Sequence, residues 1–293
     1  MPGHHRGPMT AQSESTLSTF TASDGDNLAL QDWPVPEGMQ TLGTVLIVHG
    51  LGEHAGRYEH VARRLNSWGF AVRGYDQYGH GESGGERGAL PVDARLIDDL
   101  ADVIESTRRR MEPHLPLIVL GHSMGGLVAA CVVALGQVHV DGLVLSSPVF
   151  DAGLSPLQKL MVATLPRLAP DLTVHNGVDP AYISRDPLVV AAYRSDARVH
   201  NRISARLARF IAEAGPTVIE HAAHWTVPTL LMYAGADRLI DPGGSEAFAL
   251  AAPPQVVTTH CFAGHFHEIF NEPDKEPVFN ALRLWLDSHF FPR

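Results

Sequence analysis

Residues 116–130, PLIVLGHSMGGLVAA, carry a five-residue apolar run directly into Gly-His-Ser-Met-Gly and out again into small apolar residues. A continuous apolar run of this length reads as a strand buried on both faces, and the Ala- and Val-rich continuation reads as a helix. A strand that becomes a helix within so few residues forces its central residue, Ser123, into a strained backbone geometry. Larger residues at Gly121 or Gly125 would clash with their neighbours in that bend. The serine hydroxyl is then held above the sheet at a helix N-terminus, where free amides and the positive dipole end favour a developing negative charge. The five-residue pattern alone is weak; a strand before it and a small-residue helix after it make it specific.

The rest of the chain supplies the context that this turn needs. TLGTVLIVHG (41–50), FAVRGYD (70–76), PLIVLG (116–121), VDGLVLSSP (140–148), VPTLLMYAGAD (227–237) and QVVTTHCF (255–262) read as strands. Between them RYEHVARRLNSWG, VDARLIDDLADVIESTRRRM, MGGLVAACVVALG, PGGSEAFALAA and PVFNALRLWLDSHF read as helices. Strand and helix in alternation, with nearly all-apolar strands, predict an α/β fold: a mostly parallel, doubly wound sheet with helices on both faces. STFTAS and NLALQDW predict antiparallel edge strands.

Between Ser147 and about Trp225 the strand rhythm stops. LSPLQKLMVATLPRL and VHNRISARLARFIAEAG carry apolar residues at helical spacing, which predicts an inserted helical cap without strands. The expected organisation is a disordered tail over 1–16, a core over 17–148 and 226–293, and a cap over 149–225. The apolar stripe of LSPLQKLMVATLPRL is expected to pack on the core; its sharper reading is a face that touches a membrane or micelle surface during substrate extraction.

A formal net charge of −10 over 293 residues argues against a nucleic-acid partner. Cys131 and Cys261 lie in apolar runs without paired spacing and read as buried thiols of a reducing compartment, which gives a cytoplasmic expectation, peripheral to membrane at most. The N-terminus lacks the apolar segment of a secretory signal, and glycines with His122 and Ser123 interrupt 117–136 as a membrane span. The paired His4 and His5 are read as inert. The 17 histidines show no HExxH or Cys/His cluster, so neither a metal nor a cofactor is expected. Gly79–Gly84 matches G-x-G-x-x-G, but Gly85, Gly88 and Pro91 delay the helix, so no nucleotide site is expected.

A serine hydroxyl is a poor nucleophile without a base, and the base needs an orienting carboxylate. In elbows of this kind the chain order is Ser, acid, His. Asp237 directly follows a strand, with Asp241 four residues on as the runner-up; His260, His265 and His267 follow the last strand, and His260 falls within the strand pattern as a packing residue. Two glycines in VHGLGEH (48–54) let backbone approach a substrate, which sets the amide of Leu51 opposite that of Met124 as an oxyanion hole.

At this point the chain resembles the monoacylglycerol lipase and lysophospholipase branch of the α/β-hydrolase family, over residues 20 to 292. HGLGEHAGRYEHVARRL, YDQYGHGESGG, GHSMGG, PTLLMYAGADRLIDP and HFHEIFNEP carry the resemblance. It implies Ser123 as nucleophile, Asp237 as acid, His267 as base, and Leu51 and Met124 as the oxyanion pair. It also suggests Glu53, Arg57 and His122 as residues lining a small alcohol pocket; a plain local ion pair between Glu53 and Arg57 is the competing reading. Tyr78 stands where many relatives carry Arg, a scaffolding difference, and the later cap segment SDARVHNRI matches less well. The implied reaction is hydrolysis of lipid esters through an acyl-enzyme. A lysophospholipase, a broad esterase and an aminopeptidase-like enzyme are the alternatives, and a non-catalytic small-ligand receptor on the same fold is the second class.

Overall fold

The computed structural model describes residues 14–291. The stretch through residue 13, most of the expected tail, lies outside the described residues, and Thr16, placed in that tail by the sequence, already opens the first strand.

An eight-stranded sheet forms the centre. Its strands are β1 (Thr16–Thr21), β2 (Asn27–Trp33), β3 (Gly43–Val48), β4 (Phe70–Tyr75), β5 (Leu117–His122), β6 (Gly142–Ser146), β9 (Thr229–Ala234) and β10 (Val257–Phe262), in the order β1-β2-β4-β3-β5-β6-β9-β10. Two further short strands, β7 (Thr173–His175) and β8 (Arg202–Ser204), pair outside it. β2 runs antiparallel to both β1 and β4, and every other pair in the large sheet is parallel. The residues of β3, β5, β6 and β9 are buried throughout, as expected of strands covered on both faces.

Strand alternation divides the core in two. Leu46, Val48, Val119, Leu143, Leu145 and Leu231 face α2 (Arg95–Arg108), α3 (Met124–Leu135), α6 (Ala205–His221) and α7 (Gly243–Ala251). Val45, Ile47, Ile118, Leu120, Val144 and Met232 face α1 (Glu59–Ser67) and α8 (Glu276–Phe290). α3 is buried on almost every side, which its Gly, Ala and Val side chains permit. The chain leaves β3 towards β4 on one side and returns at β5 on the other. The carboxyl ends of β3 and β5, paired at Val48 and Gly121, therefore flank the switch point where sheets of this kind bind ligands.

The insertion between β6 and β9 holds α4 (Pro156–Leu168), α5 (Pro187–Ser195) and α6, together with β7 and β8. The antiparallel β7–β8 pair corrects the expectation of helices alone; three-residue strands carry too little alternation to read from sequence. α6 docks on the core through Leu207, Phe210, Ile211 and Val218. α4 does not: Pro166 is its single buried residue, and Leu157, Leu160 and Leu168 are 67%, 60% and 85% exposed. The expectation that its stripe packs against the core is overturned, because one flank of α4 faces the cavity described below and the other faces solvent.

β10 is an edge strand, so His260 and Cys261 are exposed rather than packed, while Cys131 in α3 is buried. Among the described residues no helix is long and apolar enough to cross a membrane.

Candidate active site

The bend after β5 puts Ser123 at φ 53°, ψ −118°, a conformation that costs a non-glycine residue about 1–3 kcal/mol. The cost is met by packing. The Ser123 amide donates to the Ser146 carbonyl at 3.0 Å, and its carbonyl accepts from Leu127 at 3.0 Å and Val149 at 3.2 Å. A Cβ on Gly121 would stand 2.5 Å from the Gly125 carbonyl oxygen, and one on Gly125 would overlap the carbonyls of Val48 and His49. Both glycines are therefore fixed by close backbone approach.

Asp237 and His267 come from loops after β9 and β10, and the structure brings them together: His267 Nδ1 donates to Asp237 Oδ2 at 2.6 Å. The other carboxylate oxygen accepts from the amides of Leu239 at 2.9 Å and Ile240 at 3.2 Å. This fixes the imidazole tautomer, leaving Nε2 unprotonated, and His267 lines the same cavity as Ser123. Burial opposes the imidazolium, but the Asp237 charge and hydrogen bond outweigh it, and the His267 pKa is raised above its ordinary 6.5. Burial likewise opposes the Asp237 carboxylate, and His267 with the two amides reverses that, so its pKa is lowered. The runner-up acid, Asp241, turns its carboxylate to the amide of Gly243, the first residue of α7, at 2.8 Å. His265 Nε2 stands 3.9 Å from an Asp274 carboxylate oxygen, whereas it is His267 that bonds Asp237.

The loop after β3 is pinned peptide by peptide. The His49 carbonyl accepts from Gln77 Nε2 at 2.6 Å, and the Gly50 amide donates to Glu53 Oε1 at 2.6 Å. His49 Nε2 accepts from the Gln77 amide at 2.9 Å, so its proton sits on Nδ1, which donates to the Gly50 carbonyl at 2.8 Å. That carbonyl shares a trans peptide with the Leu51 amide, so the ring and the Leu51 N–H point in opposite directions. Leu51 and Met124 both line the cavity with Ser123. Met124 opens α3, where amides have no intrahelical acceptor.

Glu53, His122 and Glu268 line the polar end of this cavity. Arg57 stands behind them, paired with Glu53 and clamped to both oxygens of Glu268 at 2.6 and 2.7 Å, with its guanidinium 4.7 Å from the centre of the Tyr193 ring. The pair anticipated from spacing is thus one side of a buried three-charge cluster, and Tyr58 also donates to Glu53 at 2.7 Å. Glu268 and Tyr193 were not legible as site residues, because 211 residues separate Arg57 from Glu268 and no local pattern marks Tyr193. His122 shares Nδ1 with Ser146 Oγ at 3.1 Å and lies 4.8 Å, ring to ring, from His267. Burial, reinforced by His267, lowers its pKa to about 4, so it is neutral at pH 7. The whole cavity is about 350 Å³, and most of its remaining wall is apolar residues of the insertion and core, among them Val149, Met161, Leu165, Ile183, Ile211 and Ile240.

Comparison with known proteins agrees with this architecture. The chain is 37% identical over 250 residues to a monoacylglycerol lipase of Mycolicibacterium smegmatis, covering 84% of this chain and 89% of that one. The crystal structure of Paleococcus ferrophilus monoacylglycerol lipase superposes with a TM-score of 0.79 at 31% identity, over 89% of this chain and 99% of that one. A soluble variant of monoglyceride lipase from Saccharomyces cerevisiae, in complex with a substrate analog, reaches a TM-score of 0.84 at 25% identity over 99% of both chains. The model of the family described as serine aminopeptidase, S33, matches residues 40–274. With that match spanning most of the chain and the fold shared with these lipases, the protein belongs to the serine aminopeptidase S33 family and has the α/β-hydrolase fold.

Proposed function

We propose that the protein is a serine carboxylester hydrolase that cleaves monoacylglycerols to fatty acid and glycerol through an acyl-enzyme. The observation that carries this reading is the 2.6 Å His267–Asp237 hydrogen bond in the cavity that also holds the strained Ser123. His267 Nε2 takes the Ser123 proton as Oγ attacks the ester carbonyl, and Asp237 stabilises the resulting imidazolium. The amides of Leu51 and Met124 receive the oxyanion, each donor contributing about 3 kcal/mol. His267 then gives its proton to the leaving glycerol oxygen, and water repeats the sequence on the acyl-enzyme.

The cavity supports a substrate with one polar and one apolar end. Glu53, His122 and Glu268 offer hydrogen-bonding partners to glycerol hydroxyls, and Arg57 fixes the two carboxylates from behind. The apolar walls under the insertion, which acts as a cap, bury the acyl chain at about 0.8 kcal/mol per methylene. That the relatives described above are monoacylglycerol lipases supports the choice of this substrate. Through exposed Leu157, Leu160 and Leu168, α4 meets the lipid surface from which the substrate is drawn.

The test is hydrolysis of monoacylglycerols across chain lengths beside lysophosphatidylcholine and proline arylamides, with Ser123→Ala as control. Preference for medium or long monoacylglycerols, abolished in the variant, is the expected result. Faster turnover of lysophosphatidylcholine or of the arylamides would overturn the substrate assignment.

A further inference from the structure

The loop that presents Leu51 is held from two sides, and one of them belongs to the cap. On the core side, Gln77 holds the His49 carbonyl and the His49 ring holds the Gly50 carbonyl. On the cap side, the Gly52 carbonyl accepts from the backbone amide of His200 at 2.9 Å. The two backbones touch: Gly52 has φ 78°, and a Cβ there would overlap the His200 carbonyl oxygen. Neighbouring contacts seat the same cap edge. His54 Nε2 donates to Asp196 at 2.8 Å, the His200 ring lies 4.7 Å from the buried His80 ring, and the Ser204 amide donates to the Gly88 carbonyl at 2.8 Å.

We propose that the cap edge from Asp196 to Ser204 is a positioning clamp on the oxyanion loop, with the His200 backbone amide as its working contact. The inference rests on the reading of Leu51 as an oxyanion donor. Gly52 follows Leu51 directly, and its positive φ is a backbone conformation that glycine adopts readily. With the Gly52 carbonyl released, the loop around Leu51 is held only from the core side, by the His49 ring on the Gly50 carbonyl and by Glu53 on the Gly50 amide, and the cap no longer fixes the residue after Leu51. The Leu51 donor is therefore in register only while this edge is seated, and the cap contributes to the chemical step as well as to acyl binding. Oxyanion donors act through prior positioning, so a loosened donor loses transition-state stabilisation with little change in ground-state affinity.

His200→Pro removes the amide hydrogen, and His200→Ala restores it without the ring. On p-nitrophenyl acetate and p-nitrophenyl octanoate, His200→Pro is expected to lower kcat ~100-fold by the same factor for both esters, with KM changed less than about 3-fold. His200→Ala should recover most of that loss. A loss that grows with chain length, an unchanged kcat in His200→Pro, or an equal loss in His200→Ala would overturn the clamp. Circular dichroism checks the fold; should His200→Pro not fold, Asp196→Ala loosens the same edge and should give a smaller loss, equal for both esters. An unequal loss or none would overturn the clamp there too. Ser123→Ala separates the two layers: activity in that variant removes the underlying mechanism, whereas an inactive Ser123→Ala beside a normal His200→Pro removes only the clamp.

Discussion

A base that takes the Ser123 proton has to be neutral, and the Asp237 charge makes His267 harder to deprotonate. Below the His267 pKa the imidazolium cannot accept a proton, so kcat/KM should rise with pH along a single acid limb whose midpoint lies above 6.5. His122, with its pKa near 4, adds no limb in that range. Asp237→Asn removes the charge that raises the base; the midpoint should then move down, and kcat should fall roughly 10⁴-fold as the imidazole loses its tautomer control. An unmoved midpoint in that variant would assign the limb to another group. At this scale Ser123 was legible because glycines and flanking periodicity mark the bend, and Asp237 because a strand ends just before it. His267 was not separable from His265 by position alone. The family resemblance chose between them, and in the structure His267 is the one that bonds Asp237. The Arg57–Glu268 pairing had no sequence signal, since nothing local predicts which distant carboxylate a buried guanidinium will meet.

The strand–turn–helix of β5 and α3 tolerates no side chain at two of its positions. Gly125→Ser would drive a Cβ into the carbonyls of Val48 and His49, and neither neighbouring backbone can yield without shifting β3. The expected cost is about 3 kcal/mol or more, read as a lowered denaturation midpoint. A fully stable Gly125→Ser would contradict the packing described. α4 carries the opposite prediction. Replacing Leu157, Leu160 and Leu168 by Ser should leave stability within about 0.5 kcal/mol per site, because all three already face solvent. The same triple variant should sediment less with phosphatidylcholine vesicles and keep its rate on p-nitrophenyl acetate; undiminished vesicle binding would remove the lipid-surface role. Periodicity revealed α4 as a helix but not where its stripe points, since a face towards a cavity or a membrane has the same spacing as one towards a core. Edge position was hidden for a similar reason: QVVTTHCF reads as a strand whether or not a neighbour covers it, which is why His260 and Cys261 were misplaced.

Over the whole molecule, burial holds several histidines neutral at the junction of core and cap. His80 is pushed well below its ordinary value by burial and by the neighbouring His49 and His200, and burial with Arg87 brings His200 to about 4. The unfolded chain takes up protons on these groups below pH 6.5, while the folded chain does so only at lower pH, near pH 4 for His122 and His200. Stability is thus lost as pH falls from 6.5 towards 4, with His122 alone accounting for about 3 kcal/mol. Denaturant midpoints should decline steadily across that window, and a flat profile would contradict the burial of neutral rings. The fold-level layout was readable because alternating apolar strands and helices leave few topologies; the β7–β8 pair and the cap's seating were not, because they depend on contacts between distant segments. The central claim is that Ser123, Asp237 and His267, carried by three separate loops, act as one nucleophilic unit. Mass spectrometry of the protein quenched during p-nitrophenyl octanoate turnover tests it most directly. The account predicts one octanoyl group, on the peptide holding Ser123, formed in the wild type and lost in His267→Ala. An acyl group on another residue, or undiminished turnover in Ser123→Ala, would contradict it.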